Sequence, residues 1–384
     1  MLTETTNTLF SIMRTALQAA PIPQEINAYT EEQITQLFAL AKIHDLGHIV
    51  ANVFLESNLF PENAPKYQRT AFKALYRYEG QAFEFSRVCE LLQKAEIPFI
   101  ALKGSVLRKY YPHPWMRTSC DIDILVKKED HTRAKEVIVK ELSYEERETS
   151  THDVTLFSQG GVCLELHFDL LESDFREVQL LKEIWQSNEI SQTTPFAYEM
   201  SNELFMLFHI YHMAKHFVNG GCGIRPFIDL WIIKHKMPYD QDKLEKLLSD
   251  ADLLPFAKSA IHLSEVWFSD VEHTDMTEEM ENYILSSGVY GTTENRVAIA
   301  QSARGGRLKF LLARSFPSFE YMAKRNPILH KCPILLPWFY IVRWFRFLVK
   351  KEKTNALTEI RLNSSVSEDK TARLHTMCEE LSLL

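Results

Sequence analysis

Two aspartates, Asp121 and Asp123, lie two positions apart in the segment DIDILV, where polar and apolar residues alternate. This alternation predicts a β-strand, whose successive side chains point to opposite faces, so both carboxylates would lie on one face. Carboxylates held side by side repel each other unless a cation lies between them. Magnesium suits this arrangement because it takes oxygen ligands and keeps positions for water and substrate phosphates. The alternative is an ordinary solvated strand face.

A third acidic residue, Glu165, occurs in a second alternating segment, VCLELHF, which predicts another strand. If this strand pairs with the first, the three carboxylates form a cluster that can hold two metal ions roughly 3.5–4 Å apart for displacement at phosphorus. We therefore expect Mg²⁺, with Mn²⁺ as the alternative. His167 shares the face of Glu165, where it would orient a metal ligand or contact a nucleotide; a hydrogen-bonded core histidine is the other interpretation.

A turn before the aspartates offers groups that bind phosphate. The apolar run 97–102 predicts a strand, and Lys103, Gly104 and Ser105 follow it in a tight turn into a helix. Glycine lets the backbone approach a phosphate closely, and the amides of a following helix point at the anion. The Ser105 hydroxyl and the Lys103 ammonium would add a donor and a positive charge. We expect all three residues to contact a nucleotide.

The order of these segments resembles a known superfamily. Residues 102–105 (LKGS), 111–114 (YPHP), Arg117 and 121–125 (DIDIL) are similar to the DNA polymerase β-type nucleotidyltransferases, more narrowly to an uncharacterised bacterial branch. Residues 165–168 (ELHF) resemble the last block of that branch, with glutamate where aspartate also occurs and phenylalanine in place of tryptophan.

The resemblance implies a reaction and a role for each matched residue. Asp121 and Asp123 would bind the metal and the nucleotide phosphates, while Glu165 would help to activate the acceptor hydroxyl. Gly104 and Ser105 would hold the β- and γ-phosphates. The reaction would move a nucleoside monophosphate from an NTP to a small-molecule, glycan or protein acceptor and release pyrophosphate. Its chemistry needs positioning and charge neutralisation more than covalent participation by the protein.

Four basic residues are further nucleotide-binding candidates: Arg117, Lys215, His216 and Arg225. Arg117 would neutralise phosphate charge, or else pair with a surface acid. The related family has a helix with His and Lys near 215, followed by an Arg and an Asp, and this places Lys215, His216 and Arg225 along the nucleotide cleft. The favoured alternative is a contact between Arg225 and Asp229 at helical i,i+4 spacing.

Two other functions use the same features. A phosphotransferase or hydrolase would use the same metal site but release phosphate or a nucleoside monophosphate. A catalytically silent relative would bind nucleotide or a partner protein through its helical arms. The presence of all three carboxylates argues against a silent protein.

The elements that would position these residues predict an α+β fold that is predominantly helical. Three regions are expected: helices over 1–95, a nucleotidyltransferase core with a small mixed sheet over 96–172, and helices over 173–384 that complete the cleft. Helical periodicity is strongest at 31–54 and 67–94. The further predictions are strands at 121–126, 153–158 and 162–171, and helices at 129–142, 202–217, 224–235, 240–248 and 257–268.

Charge and cysteine usage limit the partners and the compartment. A net charge of -8 argues against nucleic acid as the main partner. The six cysteines are scattered without a CxxC pair, which favours free thiols in a reducing cytoplasm. No secretory signal is recognised. We expect a cytoplasmic, bacterial enzyme.

Residues 334–351 form a very apolar segment with Arg343, Arg346, Lys350 and Lys351. A helix of this composition can lie on a membrane surface or pack between subdomains. The sequence favours burial, because Pro337 shortens the helix, and peripheral membrane contact is the alternative.

Overall fold

The computed structural model describes residues 2–171, 175–269, 271–289, 291–349 and 362–384. These residues form two compact units, Met1–Lys215 with Ile224–Glu278, and His216–Gly223 with Glu279–Leu384. The predicted fold class, α+β and predominantly helical, is confirmed. The region limits expected after 95 and 172 stay predictions.

The helices before the sheet are α1 (Leu2–Gln18), α2 (Glu31–Ile43), α3 (Gly47–Glu56) and α4 (Ala64–Lys94). A capping box begins α2: the Thr30 hydroxyl accepts from the Gln33 amide, and the Gln33 side chain accepts from the Thr30 amide. The stretch 31–54, where the sequence shows helical periodicity, forms two helices and not one. Asp45 takes a left-handed conformation with φ of 56° between α2 and α3.

The seven-stranded mixed sheet has the order β3-β4-β5-β2-β1-β7-β6. Its strands are β1 (Phe99–Ala101), β2 (Asp121–Val126), β3 (Glu145–Thr149), β4 (Asp153–Phe157), β5 (Cys163–His167), β6 (Ile190–Thr194) and β7 (Ala197–Met200). The β2–β5 and β1–β7 pairs are parallel, and the other four are antiparallel. Four predicted strands therefore exist.

Three strands, β3, β6 and β7, were not predicted. The residues of β3, EERET, are exposed throughout, and β6 contributes the polar segment ISQTT. Both are edge strands, where a polar face replaces the apolar alternation that marks a buried strand. The expectation that the chain is only helical after residue 172 is therefore wrong.

One face of the sheet forms the core under α4. Ile122, Ile124 and Val126 of β2 are fully buried, and they cluster with Val88 and Leu92 of α4. Because side chains alternate along a strand, this packing directs Asp121 and Asp123 to the opposite face. Burial of the apolar residues thereby fixes the face on which the carboxylates lie.

The remaining helices follow in chain order. They are α5 (Gly104–Leu107), α6 (His131–Leu142), α7 (Gln179–Lys182), α8 (Asn202–Val218), α9 (Arg225–Lys236), α10 (Gln241–Asp250), α11 (Leu254–Ser269), α12 (Asp275–Leu285), α13 (Thr293–Ala303), α14 (Arg307–Ser315), α15 (Phe319–Arg325), α16 (Ile328–Lys331), α17 (Leu336–Val349) and α18 (Glu368–Glu380). None of these described helices has both the length and the hydropathy needed to cross a bilayer.

A close backbone approach holds the segment 216–223 in the second unit. Gly220 accepts a hydrogen bond from the Thr292 amide at 3.0 Å, and its φ is 114°. A Cβ on Gly220 would lie 2.5 Å from the Thr292 carbonyl oxygen, and one on Gly291 would lie 2.3 Å from Gly220. Glycine is therefore required at both positions.

The structure corrects the favoured burial of the segment 334–351. The exposed fractions of Trp338, Ile341 and Phe345 are 60%, 60% and 68%. Residues 350 and 351 lie outside the described residues. Apolar composition alone therefore did not decide burial here.

Candidate active site

The strand pairing predicted for the acidic residues is confirmed. Strands β2 and β5 lie side by side in parallel, with Asp123 opposite Glu165 and Asp121 opposite Cys163. From the sequence, this pairing could be stated only as a condition for the carboxylate cluster, because residues 127–162 separate the two strands. Paired positions in a sheet hold their side chains within contact distance, so Asp123 and Glu165 form the centre of the carboxylate face.

Asp123 is the most heavily engaged of the three acids. Its Oδ1 accepts hydrogen bonds from Lys103 Nζ at 2.7 Å and from His167 Nε2 at 3.0 Å. His167 Nε2 also lies 3.6 Å from Glu165 Oε2. One ligand atom from each of Asp123, Glu165 and His167 lies within 4.8 Å of the others. Asp121 lies two residues before Asp123 on β2, and it is not part of that group.

The pKa values of the three carboxyl groups move in different directions. Burial and then the Asp123 charge raise the pKa of Glu165 to about 8, and both also raise the pKa of Asp121. Burial would raise the pKa of Asp123 as well, but the Lys103 ammonium and the His167 hydrogen bond outweigh it and lower that pKa well below its usual range. Ionising all three carboxyl groups would thus place more negative charge on the face than Lys103 balances.

Whether these residues fit a divalent metal depends on this imbalance of charge. Three carboxylates supply the oxygen ligands that Mg²⁺ and Mn²⁺ prefer, and a cation would favour the ionised form of each. Asp121, Asp123 and Glu165 are therefore suited to hold it. His167 fits a supporting role, because its hydrogen bond orients the Asp123 carboxylate.

The turn between β1 and α5 has a strained start. Lys103 has φ of 44° and ψ of -115°, a backbone conformation that residues other than glycine rarely adopt. The amides of Ser105 and Val106 donate to the carbonyls of Leu102 and Lys103. The predicted array of helix amides is therefore used inside the turn. Within the described chain, the Gly104 amide and the Ser105 hydroxyl keep their capacity to bind a ligand.

Arg117 binds a buried carboxylate, and its predicted contact with the phosphates stays a prediction. Its Nε and Nη2 donate to the Asp229 carboxylate at 3.2 and 2.8 Å, and its Nη1 donates to the Thr118 carbonyl. Tyr111 also donates to Asp229, at 2.6 Å. Burial would raise the pKa of Asp229, but the Arg117 charge lowers it. These bonds occupy the guanidinium and tie the turn after Tyr111 to α9.

Arg117 still borders the phosphate turn. A Cβ on Gly104 would lie 3.0 Å from Arg117 Nη1 and 3.7 Å from Ser119 Oγ. A larger residue at 104 would therefore press on the Arg117 guanidinium, which would have to shift by a few tenths of an ångström.

The favoured alternative for Arg225 is wrong. Its Nη1 donates to Asp45 Oδ2 at 2.9 Å and to the Thr118 carbonyl at 3.0 Å, whereas the Asp229 carboxylate is bound by Arg117. Helical spacing made the Arg225–Asp229 contact plausible, but the longer-range partners prevailed. A nucleotide contact by Arg225 stays a prediction.

Lys215 and His216 fall in different compact units. Lys215 is buried and belongs to the first unit, and His216 belongs to the second. Their predicted nucleotide contacts stay predictions.

Sequence reasoning missed a buried network that supports Asp121. Arg108 Nη2 donates to Ser119 Oγ at 2.7 Å, and Ser119 Oγ donates to the Asp121 carbonyl at 2.7 Å. Gln81 of α4 donates to the Ser119 carbonyl at 3.1 Å. Burial, and then Arg117, lower the pKa of Arg108 to about 10. The network holds the residues that lead into β2.

His152 and Asp153 were also missed. Asp153 lies opposite His167 in the β4–β5 pair, and one ligand atom from each of these three residues lies within 4.8 Å of the others. Ser150 Oγ donates to Asp153 Oδ1 at 2.6 Å and lies 3.1 Å from His152 Nδ1. A His-Asp pair at the start of a predicted strand was the available signal.

A family described as uncharacterised nucleotidyltransferase matches residues 30–269. This match includes α2 through α11 and every strand, so it covers more than half of the chain. The chain belongs to this family. It is a nucleotidyltransferase, and the resemblance inferred from the motifs is confirmed.

Among solved structures, the solution structure of the antibiotic-resistance factor ANT(2'')-Ia is similar to part of this chain. The alignment has 10% identity and a TM-score of 0.27, and it covers 50% of this chain and 91% of that one. No curated protein matches the sequence.

Proposed function

We propose that this nucleotidyltransferase is metal-dependent and moves a nucleoside monophosphate from an NTP to an acceptor hydroxyl, releasing pyrophosphate. One observation carries the proposal: Asp123 and Glu165 are paired on parallel strands, with their carboxylates and His167 within 4.8 Å. The acceptor is a small molecule, a glycan or a protein, and the net charge of -8 argues against nucleic acid.

In the reaction, the acceptor oxygen attacks the α-phosphorus, and the bond from that phosphorus to the pyrophosphate oxygen breaks. Glu165, opposite Asp123 on the neighbouring strand, would take the acceptor proton. A divalent cation would supply charge neutralisation for the phosphates and the leaving group. Asp121 and Asp123 would hold it, and His167 and Lys103 keep the Asp123 carboxylate oriented.

The groups proposed for the phosphates are the Gly104 amide, the Ser105 hydroxyl and Lys103. Lys103 Nζ lies 2.7 Å from Asp123, so it joins the turn to the carboxylate face. From that position its ammonium would neutralise part of the phosphate charge. Six free thiols at scattered positions support a cytoplasmic enzyme.

The test measures metal-dependent turnover of each NTP, with cell extract as the pool of acceptors. We expect pyrophosphate release and transfer of an α-phosphate label, both abolished by EDTA. Asp123→Asn should abolish both, whereas Glu148→Gln, an exposed carboxyl change on β3, should leave both unchanged. Release of free phosphate would favour the phosphotransferase or hydrolase alternative. Nucleotide binding without any turnover would favour a silent relative.

A further inference from the structure

Helix α17 has two different faces. On one side, Phe339 and Tyr340 pack against a small cluster of Met322, Ala323 and Leu329. Tyr340 also donates a hydrogen bond to the Pro317 carbonyl at 2.7 Å. The second unit therefore anchors one side of this helix, which fixes the direction of the other.

The other side presents large apolar residues to solvent. Trp338, Ile341 and Phe345 are spaced by three and four residues, so they form one stripe. Their exposed fractions are 60%, 60% and 68%, and that of Ile334, just before the helix, is 84%. Exposed apolar patches of this kind on a folded protein mark interaction surfaces.

A second stripe on α14 joins the first. Leu308, Leu312 and Phe316 follow at four-residue intervals with exposed fractions of 71%, 52% and 52%. The Phe316 ring centroid lies 5.9 Å from that of Trp344, which is itself 48% exposed. The Phe316–Trp344 contact links the two stripes, and these exposed residues are here named the apolar surface: Leu308, Leu312, Phe316, Ile334, Trp338, Ile341, Trp344 and Phe345.

The segment that carries the apolar surface is strongly basic. Residues 303–349 contain nine Lys and Arg residues against one acidic residue, Glu320, in a chain whose net charge is -8. Arg314, Arg325 and Lys331 of this segment are exposed. Arg343 donates to the Arg314 carbonyl at 3.4 Å, so it lies at the contact of α14 and α17.

We propose that the apolar surface binds the surface of an anionic lipid bilayer. Tryptophan and phenylalanine enter the boundary between headgroups and acyl chains, and basic residues beside them attract anionic headgroups. A second copy of the chain fits less well, because it would bring two basic segments together. The occupant must therefore be both apolar and negatively charged. This inference does not depend on the proposed reaction.

The experiment is flotation of the full chain with phosphatidylcholine vesicles, with and without phosphatidylglycerol. Binding is expected only to the anionic vesicles, and about 0.5 M NaCl should weaken it, because salt screens charges beyond roughly 3–8 Å. The double variant Trp338→Ser/Ile341→Ser keeps the net charge and should bind at least about tenfold more weakly, because it loses buried apolar contact.

The matched control is Phe72→Ser/Tyr76→Ser, which removes two exposed aromatic residues from α4 of the first unit, where the exposed fractions are 63% and 73%. It should bind like the unaltered chain. The proposal is overturned by equal binding to neutral vesicles, by no binding to either kind, or by equal loss in both double variants. A lipid-free dimer that Trp338→Ser/Ile341→Ser dissociates would instead assign the surface to a second copy.

Discussion

The first unit contains two buried groups of charged residues that are balanced in different ways. In the Arg117–Asp229 pair, opposite charges meet at 2.8 Å and Tyr111 adds a neutral donor. On the carboxylate face, Asp121, Asp123 and Glu165 share one ammonium, that of Lys103. The first group is complete within the chain, so it stabilises the fold. The second would have excess negative charge with all three carboxyl groups ionised, which is the condition for binding a cation.

The largest expected effect comes from breaking the complete pair. Arg117→Met should lower the free energy of unfolding by about 3–5 kcal/mol, because Asp229 would be left buried without its cation. Denaturant unfolding of the full chain measures this. The fall in kcat per folded molecule, expressed as a free energy, should be smaller than the loss in the free energy of unfolding.

The control for Arg117→Met is Arg147→Met, which breaks an ion pair of 3.0 Å between side chains 64% and 72% exposed. Arg147→Met should lower the free energy of unfolding by less than about 1 kcal/mol. Equal losses in the two variants would mean that the buried pair is not a stabilising element. Arg117→Met/Asp229→Leu should recover part of the loss, because no buried charge then lacks a partner.

The second-largest expected effect comes from removing one carboxylate from the carboxylate face. Asp123→Asn keeps the side-chain shape and should lower kcat at least about a hundredfold, since the charge that holds the metal is lost. Initial rates of pyrophosphate release at saturating NTP measure it. A variant that retains more than half of the activity would remove Asp123 from the site.

Metal binding should then stabilise the chain by a smaller amount. At a Mg²⁺ concentration tenfold above its dissociation constant, the expected gain is about 1.4 kcal/mol, because only the folded state has the site. Thermal unfolding with MgCl₂, compared with NaCl at equal ionic strength, measures the gain. Asp123→Asn should lose it, whereas Arg147→Met should keep it.

The smallest effect concerns pH in the presence of EDTA. The pKa of Glu165 is raised to about 8, so the folded state binds a proton that the unfolded state releases near its ordinary, lower pKa. The stability associated with this proton is complete below the unfolded pKa and is lost as pH rises through about 8. Glu165→Gln should thus unfold at higher urea concentration than the unaltered chain at pH 9, and similarly at pH 4.

Magnesium should reverse the sign of this difference. With the metal bound, ionised Glu165 becomes a ligand, so Glu165→Gln should gain less stability from Mg²⁺ than the unaltered chain does. If Glu165→Gln behaves alike with EDTA and with Mg²⁺, then Glu165 is not a metal ligand.

The carboxylate face was the part of the molecule most open to prediction from sequence. Alternation in β2 and β5 is a local signal, and the face of each side chain follows from it. The parallel pairing of β2 with β5 is non-local, and no local pattern in the sequence measures it directly. The expected cluster of Asp121, Asp123 and Glu165 therefore depended on the motif order and not on periodicity.

The partners of the basic residues were less open to prediction. Arg225 binds Asp45, and Arg117 binds Asp229, across separations of 180 and 112 residues. Spacing rules treat only neighbours on one element, so they suggested a local Arg225–Asp229 contact instead. The prediction that α17 is buried was wrong for a related reason. Apolar composition does not show whether the rest of the chain has enough surface to cover a helix.

The segment 216–223 also has a consequence for synthesis. It joins the second unit, although the residues on both sides of it belong to the first. On the ribosome, Gly220 and Gly221 emerge before Ser287 and Gly291, their partners in the close approach. At roughly 5–20 residues per second, this segment waits several seconds for those partners. The second unit therefore cannot complete its fold until residues 287–291 have been made.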